Sequence, residues 1–124
     1  MKVLVIAVHP DDETLGCGGT LLRHRAAGDE VHWLIVTEAG RDNPVHTRRE
    51  SQIDEVRKRY GFAGTHQLRF PTMRLDTIAL SEIIAAMAGV FQSVKPEIVY
   101  LPFQNDVHSD HRRAFEAAYA CTKV

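Results

Sequence analysis

A chain of 124 residues falls within the size range of one domain, and 44% hydrophobic with 25% charged residues is a globular composition. With 15 basic against 16 acidic residues the formal net charge is −1, which excludes any general electrostatic attraction to nucleic acid or to an anionic membrane. No apolar run approaches the roughly 18 to 20 residues of a bilayer span. Cys17 and Cys121 form neither a CxxC pair nor a disulfide framework, so a reduced, cytoplasmic protein is expected.

The chain alternates from its first residues. Lys2–Val8 is a continuous apolar run rich in β-branched residues, which predicts a strand buried on both faces and not a signal peptide. Thr14–Ala27 carries apolar residues at helical spacing and stops at Gly28. Glu30–Thr37 is a second strand. After a polar loop, Thr47 and Glu50 have the spacing of a capping box, opening a helix that runs to about Tyr60 and stops at Gly61. His66–Phe70 is a short third strand closed by Pro71. Ser81 is placed to cap a helix through Ser93, with Ile83, Ile84, Met87, Val90 and Phe91 as its buried stripe. Glu97–Leu101 is a fourth strand and His111–Tyr119 a last helix.

The order βαβαβαβα implies an α/β fold with a mostly parallel sheet and helices on both faces. Ligands in such sheets bind beyond the carboxyl ends of the strands, where strand order reverses. Two polar clusters stand at those ends: His9-Pro10-Asp11-Asp12-Glu13 after the first strand and Asp106-Val107-His108-Ser109-Asp110-His111 after the fourth. If those two strands are neighbours, the clusters face each other. Each cluster alone reads as a solvated turn. Together they can supply two imidazoles and a carboxylate, a donor set that suits Zn2+ and also admits Fe2+ or Co2+. A carboxylate and a histidine then remain for the base and acid that amide hydrolysis requires.

The segment Ala7-Val8-His9-Pro10-Asp11-Asp12-Glu13, followed by Gly16-Cys17-Gly18-Gly19, resembles the signature of the LmbE/PIG-L deacetylases, and His108-Ser109-Asp110-His111 resembles that family's second motif. The likeness continues through Arg49-Glu50 and the run Phe70–Asp76. It implies a Rossmann-like, three-layer α/β/α fold and a hydrolase that removes the N-acetyl group from an amino sugar or its conjugate. It also implies roles. His9, Asp12 and His111 bind the metal, one zinc per chain, and Asp11 is the general base. His108 stabilises the oxyanion or protonates the leaving nitrogen, with Asp110 fixing its tautomer. Arg49 reaches polar or phosphate-bearing groups of the substrate. Thr72 stands where some relatives carry an acidic residue, so Arg74 and Asp76 are assigned to the sugar hydroxyls. Residues 1–124 are expected to be one domain matching the amino-terminal part of such an enzyme, with homo-oligomer formation as one route to missing contacts.

Two readings of other classes stand beside this one. Gly16–Gly19 could cradle a nucleotide phosphate, although the G-x-G-x-x-G spacing is absent and the glycines more simply let the backbone pass close to the sheet and the metal. The chain could also be a catalytically silent zinc-binding fragment.

Overall fold

The computed structural model describes residues 1–123. Along the chain lie Lys2–Ala7 (β1), Asp12–Ala26 (α1), Glu30–Glu38 (β2), His46–Tyr60 (α2), Gly64–Pro71 (β3), Leu80–Val94 (α3), Ile98–Tyr100 (β4) and Ser109–Cys121 (α4). The strands form one all-parallel sheet in the order β3-β2-β1-β4. Val3, Leu4 and Val5 pair with Ile98, Val99 and Tyr100, so the first and fourth strands are indeed neighbours. Because β2 lies on one side of β1 and β4 on the other, the crevice between β1 and β4 is the topological switch point.

The apolar run of β1 is continuous because helices cover both of its faces. Val3, Val5 and Ala7 pack with Val31, Trp33 and Ile35 of β2 against Leu21 of α1 and Ile53 of α2. Leu4, Ile6 and Val8 pack with Leu34 and Val36 against Met87 of α3 and Ala114 of α4. Successive side chains of a strand point to opposite faces, so one strand feeds two cores and the fold has three layers. Each fully buried aliphatic side chain here contributes roughly 1.5–3 kcal/mol through the water it sheds.

Several local expectations are corrected by tertiary contacts. The Thr47–Glu50 capping box does not form, because α2 already begins at His46 with Val45 in the cap position and no side-chain cap. Glu50 accepts instead from Arg69 at 3.1 and 3.4 Å, a charged partner from β3 that displaces the local bond. Ser81 lies inside the first turn of α3, which starts after Ala79. An unexpected 3-10 turn, Leu75–Thr77, drives Leu75 into the core. Of the glycines in α1 only Gly18 is needed for close packing, and against α2, not the sheet or the candidate metal site; a Cβ at Gly16 or Gly19 would meet nothing within 4 Å. A Cβ at Gly18 would lie 2.8 Å from the Tyr60 hydroxyl of α2, close to a kink at Cys17. Gly61 ends α2 at φ +72°, as its position in the sequence suggests. Among the described residues no helix is long and apolar enough to cross a membrane.

At the opposite end of the sheet from the strand exits, His32 Nδ1 and His66 Nε2 lie 3.2 Å apart on neighbouring strands. One nitrogen must donate while the other accepts, so the contact needs a neutral ring. Burial, and then the charge of His32, push His66 below its ordinary value. The unfolded chain therefore binds the proton first, and stability is lost as pH falls from about 6.5 through the lower folded value. Urea midpoints of wild type should drop more steeply between about pH 7.5 and 5.5 than those of His66→Gln. Parallel slopes for the two proteins would remove this pair from the pH response.

Candidate metal centre

The chain leaves β1 through His9, Pro10 and Asp11 before α1 begins at Asp12. Asp11 sits at φ +146°, ψ −19°, a strained backbone region for a residue with a Cβ. Its N–H donates to Glu13 Oε2 at 3.1 Å, while the Thr14 hydroxyl donates to Glu13 Oε1 at 3.2 Å. Glu13 is buried, and burial raises its carboxyl above the ordinary value against the pull of those bonds. It clamps the turn that presents Asp11.

Across the switch point, His108 forms the N-cap of α4, and its Nδ1 accepts from the Asp110 backbone N–H at 3.0 Å. A neutral ring used in this way carries its proton on Nε2, which faces Met73 Sδ at 3.1 Å. The Asp110 carboxylate is fully buried and accepts from the backbone N–H groups of Met73 at 2.7 Å and Leu75 at 3.1 Å. It also meets His9 Nε2 at 3.1 Å. Burial alone would raise the Asp110 carboxyl, but His9 and the two amides outweigh it and hold the group below its ordinary value. The orientation of His108 expected from the Asp110 carboxylate is thus supplied by the Asp110 backbone. The carboxylate orients His9, whose Nδ1 lone pair is left free when Nε2 carries the proton.

Asp12 Oδ2 accepts from the His9 backbone N–H at 2.9 Å and stands 3.3 Å from His111 Nε2. The other nitrogen of His111, Nδ1, faces Asp106 Oδ2 at 3.4 Å. His9, Asp12 and His111 each offer one donor atom, all within 4.8 Å of one another, from segments about a hundred residues apart. Bonds of about 2.0–2.2 Å at tetrahedral angles place two zinc ligands about 3.3–3.6 Å apart, which the Asp12–His111 pair at 3.3 Å matches, and the donor types suit such an ion. Each imidazole also has a carboxylate on its far nitrogen, Asp110 for His9 and Asp106 for His111, as metal-ligating histidines usually do.

Beside this group lies a cavity of about 320 Å³ lined by His9, Asp11, Glu38, Arg49, Met73 and His108, among others. Burial and then the charge of Asp12 raise the Asp11 carboxyl, with His9 and Arg49 opposing. Arg74 and Asp76 are exposed, and neither lines this cavity. Three neighbouring carboxylates carried no assignment in the sequence: Glu13, Asp106 and Glu38. The first two lie within the motif clusters and were legible as polar residues there. Glu38 closes an apolar strand, and nothing in its sequence context distinguishes it.

The chain is thus a three-layer α/β fold of the Rossmann-like kind with a candidate metal site at its switch point. Residues 4–122 match the family model PIG-L, described as GlcNAc-PI de-N-acetylase, and the chain belongs to that family. It is 30% identical to an uncharacterized deacetylase, YaiS, of Escherichia coli (strain K12), over 98% of this chain and 69% of the relative. It is 29% identical to the diacetylchitobiose deacetylase of Thermococcus kodakarensis, over 91% of this chain and 46% of that enzyme. Among solved structures, the conserved protein TT1542 of Thermus thermophilus superposes with a TM-score of 0.83 at 33% identity, over 96% of this chain and 54% of the other. The chain thus spans between about half and two thirds of the length of these relatives.

Removing the Asp110 carboxylate should be costly, because two buried N–H groups and His9 lose their acceptor together. Asp110→Ala should lower the unfolding free energy of the metal-free protein by about 2–4 kcal/mol in urea titrations. A loss below about 0.5 kcal/mol would show that water replaces the carboxylate at no cost.

Proposed function

We propose that this chain carries the metal centre and the catalytic groups of an N-deacetylase acting on an N-acetylated amino sugar or its conjugate. The observation that carries the reading is the convergence of His9, Asp12 and His111 within 4.8 Å, with Asp11 and His108 at the adjoining cavity. The substrates named for the family and for the Thermococcus relative, GlcNAc-PI and diacetylchitobiose, support the choice of sugar. Residues 1–124 act in it as one domain.

His9 through Nδ1, Asp12 through Oδ2 and His111 through Nε2 would hold the ion. Zinc, or iron(II) or cobalt(II) in its place, supplies Lewis acidity that polarises the acetyl carbonyl and acidifies water. Asp11, turned into the cavity by its strained backbone, takes the proton of the attacking water. Water adds to the carbonyl carbon, the C–N bond breaks, and acetate and the free amine leave. The Nε2–H of His108, exchanging Met73 Sδ for substrate, donates a hydrogen bond to the oxygen as it gains charge, and the proton held by Asp11 passes to the departing nitrogen. Asp110 and Asp106 hold His9 and His111 in the tautomers this needs. Arg49 contacts the substrate's polar substituents from the cavity wall, and Arg74 and Asp76 serve a substrate that extends beyond it.

Two measurements on the same samples test this. Wild type should retain about one zinc per chain and release acetate from N-acetylglucosamine substrates, and a His9→Ala/His111→Ala double variant should lose both. Asp11→Asn should keep the zinc while acetate release falls about 10²- to 10⁴-fold. Full activity in Asp11→Asn would sink the assigned mechanism. Zinc without acetate release in wild type would make this a silent metal site.

A further inference from the structure

One wall of the cavity beside the metal centre takes no part in the chemistry of the proposed reaction. Glu38, the last residue of β2, lines it, and its side chain is only 14% exposed. One of its oxygens is fully engaged: Oε1 accepts from Arg69 Nη1 at 2.7 Å and meets His46 Nε2 at 3.2 Å. The other is not. Among the described residues no hydrogen bond reaches Oε2, and Arg41 Nε stands 3.8 Å from it, beyond hydrogen-bond distance.

The backbone is distorted to hold Glu38 in this way. Between the Ile35–Gln67 and Thr37–Phe70 pairs, β3 contains one residue more than β2, which is a bulge. Arg69 lies within it at φ +61°, a conformation in which a long side chain is uncommon. The bulge directs the Arg69 guanidinium onto Glu38 and Glu50 together. Burial would raise the Glu38 carboxyl, but Arg69 and His46 hold it below its ordinary value. The cluster of Glu38, His46 and Glu50 is already filled by the Arg69 cation, so it is not a second metal site.

The geometry points to Glu38 as a specificity-determining residue, with Oε2 accepting a hydrogen bond from a ring hydroxyl of the sugar whose acetamide lies at the metal centre. This rests on the deacetylase reading and names the substrate feature that this wall selects. A fixed carboxylate beside the cavity favours hydroxyl-rich, uncharged sugars there and repels a phosphate in the same position, which Arg49 would otherwise attract. The strained bulge sets the carboxylate before substrate arrives, so little ordering is lost on binding.

The test is an NMR titration of the zinc-loaded full chain with N-acetylglucosamine and its 3-, 4- and 6-monodeoxy analogues, repeated on Glu38→Gln. In wild type one of the three analogues should bind roughly 10- to 100-fold more weakly than the parent, the worth of a hydrogen bond to a charged group. In Glu38→Gln that difference should shrink to within about threefold, because the lost hydroxyl and the lost charge are the two ends of one interaction. Glu38→Asp, which keeps the charge but withdraws it by a methylene, should give an intermediate difference and covers the case in which the Gln variant fails to fold. The same deoxy penalty in all three proteins, or no penalty at any hydroxyl, would overturn the assignment of Glu38. Acetate release measured on the wild-type sample separates the two readings. Sugar binding with the Glu38 signature but no acetate release refutes catalysis alone, and acetate release without that signature refutes Glu38 alone.

Discussion

One buried carboxylate ties together the segments from which the site is built. Asp110 starts α4, yet its oxygens hold the exit of β1 through His9 and the loop after β3 through the amides of Met73 and Leu75. A carboxylate with no exposure and no such partners would cost several kcal/mol. Three donors converging on it turn that cost into a constraint, because moving any one of these segments leaves charge or amide unpaired. The tautomer of His9, the seating of Leu75 in the core and the position of Met73 against His108 all follow from it.

The sheet supplies the remaining constraint. Every strand runs the same way, so β1 and β4 deliver their exits to one edge, and their pairing sets those exits side by side. His9–Glu13 and Asp106–His111 are far apart in sequence and meet only for this reason. The crevice is a switch point in the ordinary sense of open α/β sheets, with polar residues where the apolar strands end.

Much of this was legible in the sequence. The four strands and four helices among the described residues were legible, because β1 and β2, buried on both faces, and helices buried on one leave patterns that do not depend on distant partners, while the half-buried edge strands β3 and β4 are bounded by turn residues. The two motif clusters were legible because each packs several titratable groups into a short turn. Local caps were not, and the reason is specific. Spacing alone pairs Glu50 with Thr47, but Arg69 reaches it from a bulge in β3, and a bulge leaves no pattern in a single chain. The same holds for Glu38, whose significance lies in Arg69 and His46 and not in its neighbours along β2. For Asp110 the sequence placed the residue near His108, while its partner was decided by which atom of the residue points where.

The two cores that β1 feeds bear differently on the two halves of the candidate donor set. Asp12 opens α1, which packs on the face holding Val3, Val5 and Leu21, and His111 lies on α4, which packs on the face holding Leu4, Ile6 and Ala114. The site therefore straddles the sheet, with one anchor in each layer and the strand edge as the hinge line between them. Its geometry behaves as a logical conjunction, intact only while both layers are seated. A substitution that loosens either layer, however far from the crevice, is felt there as lost alignment before it is felt as lost fold.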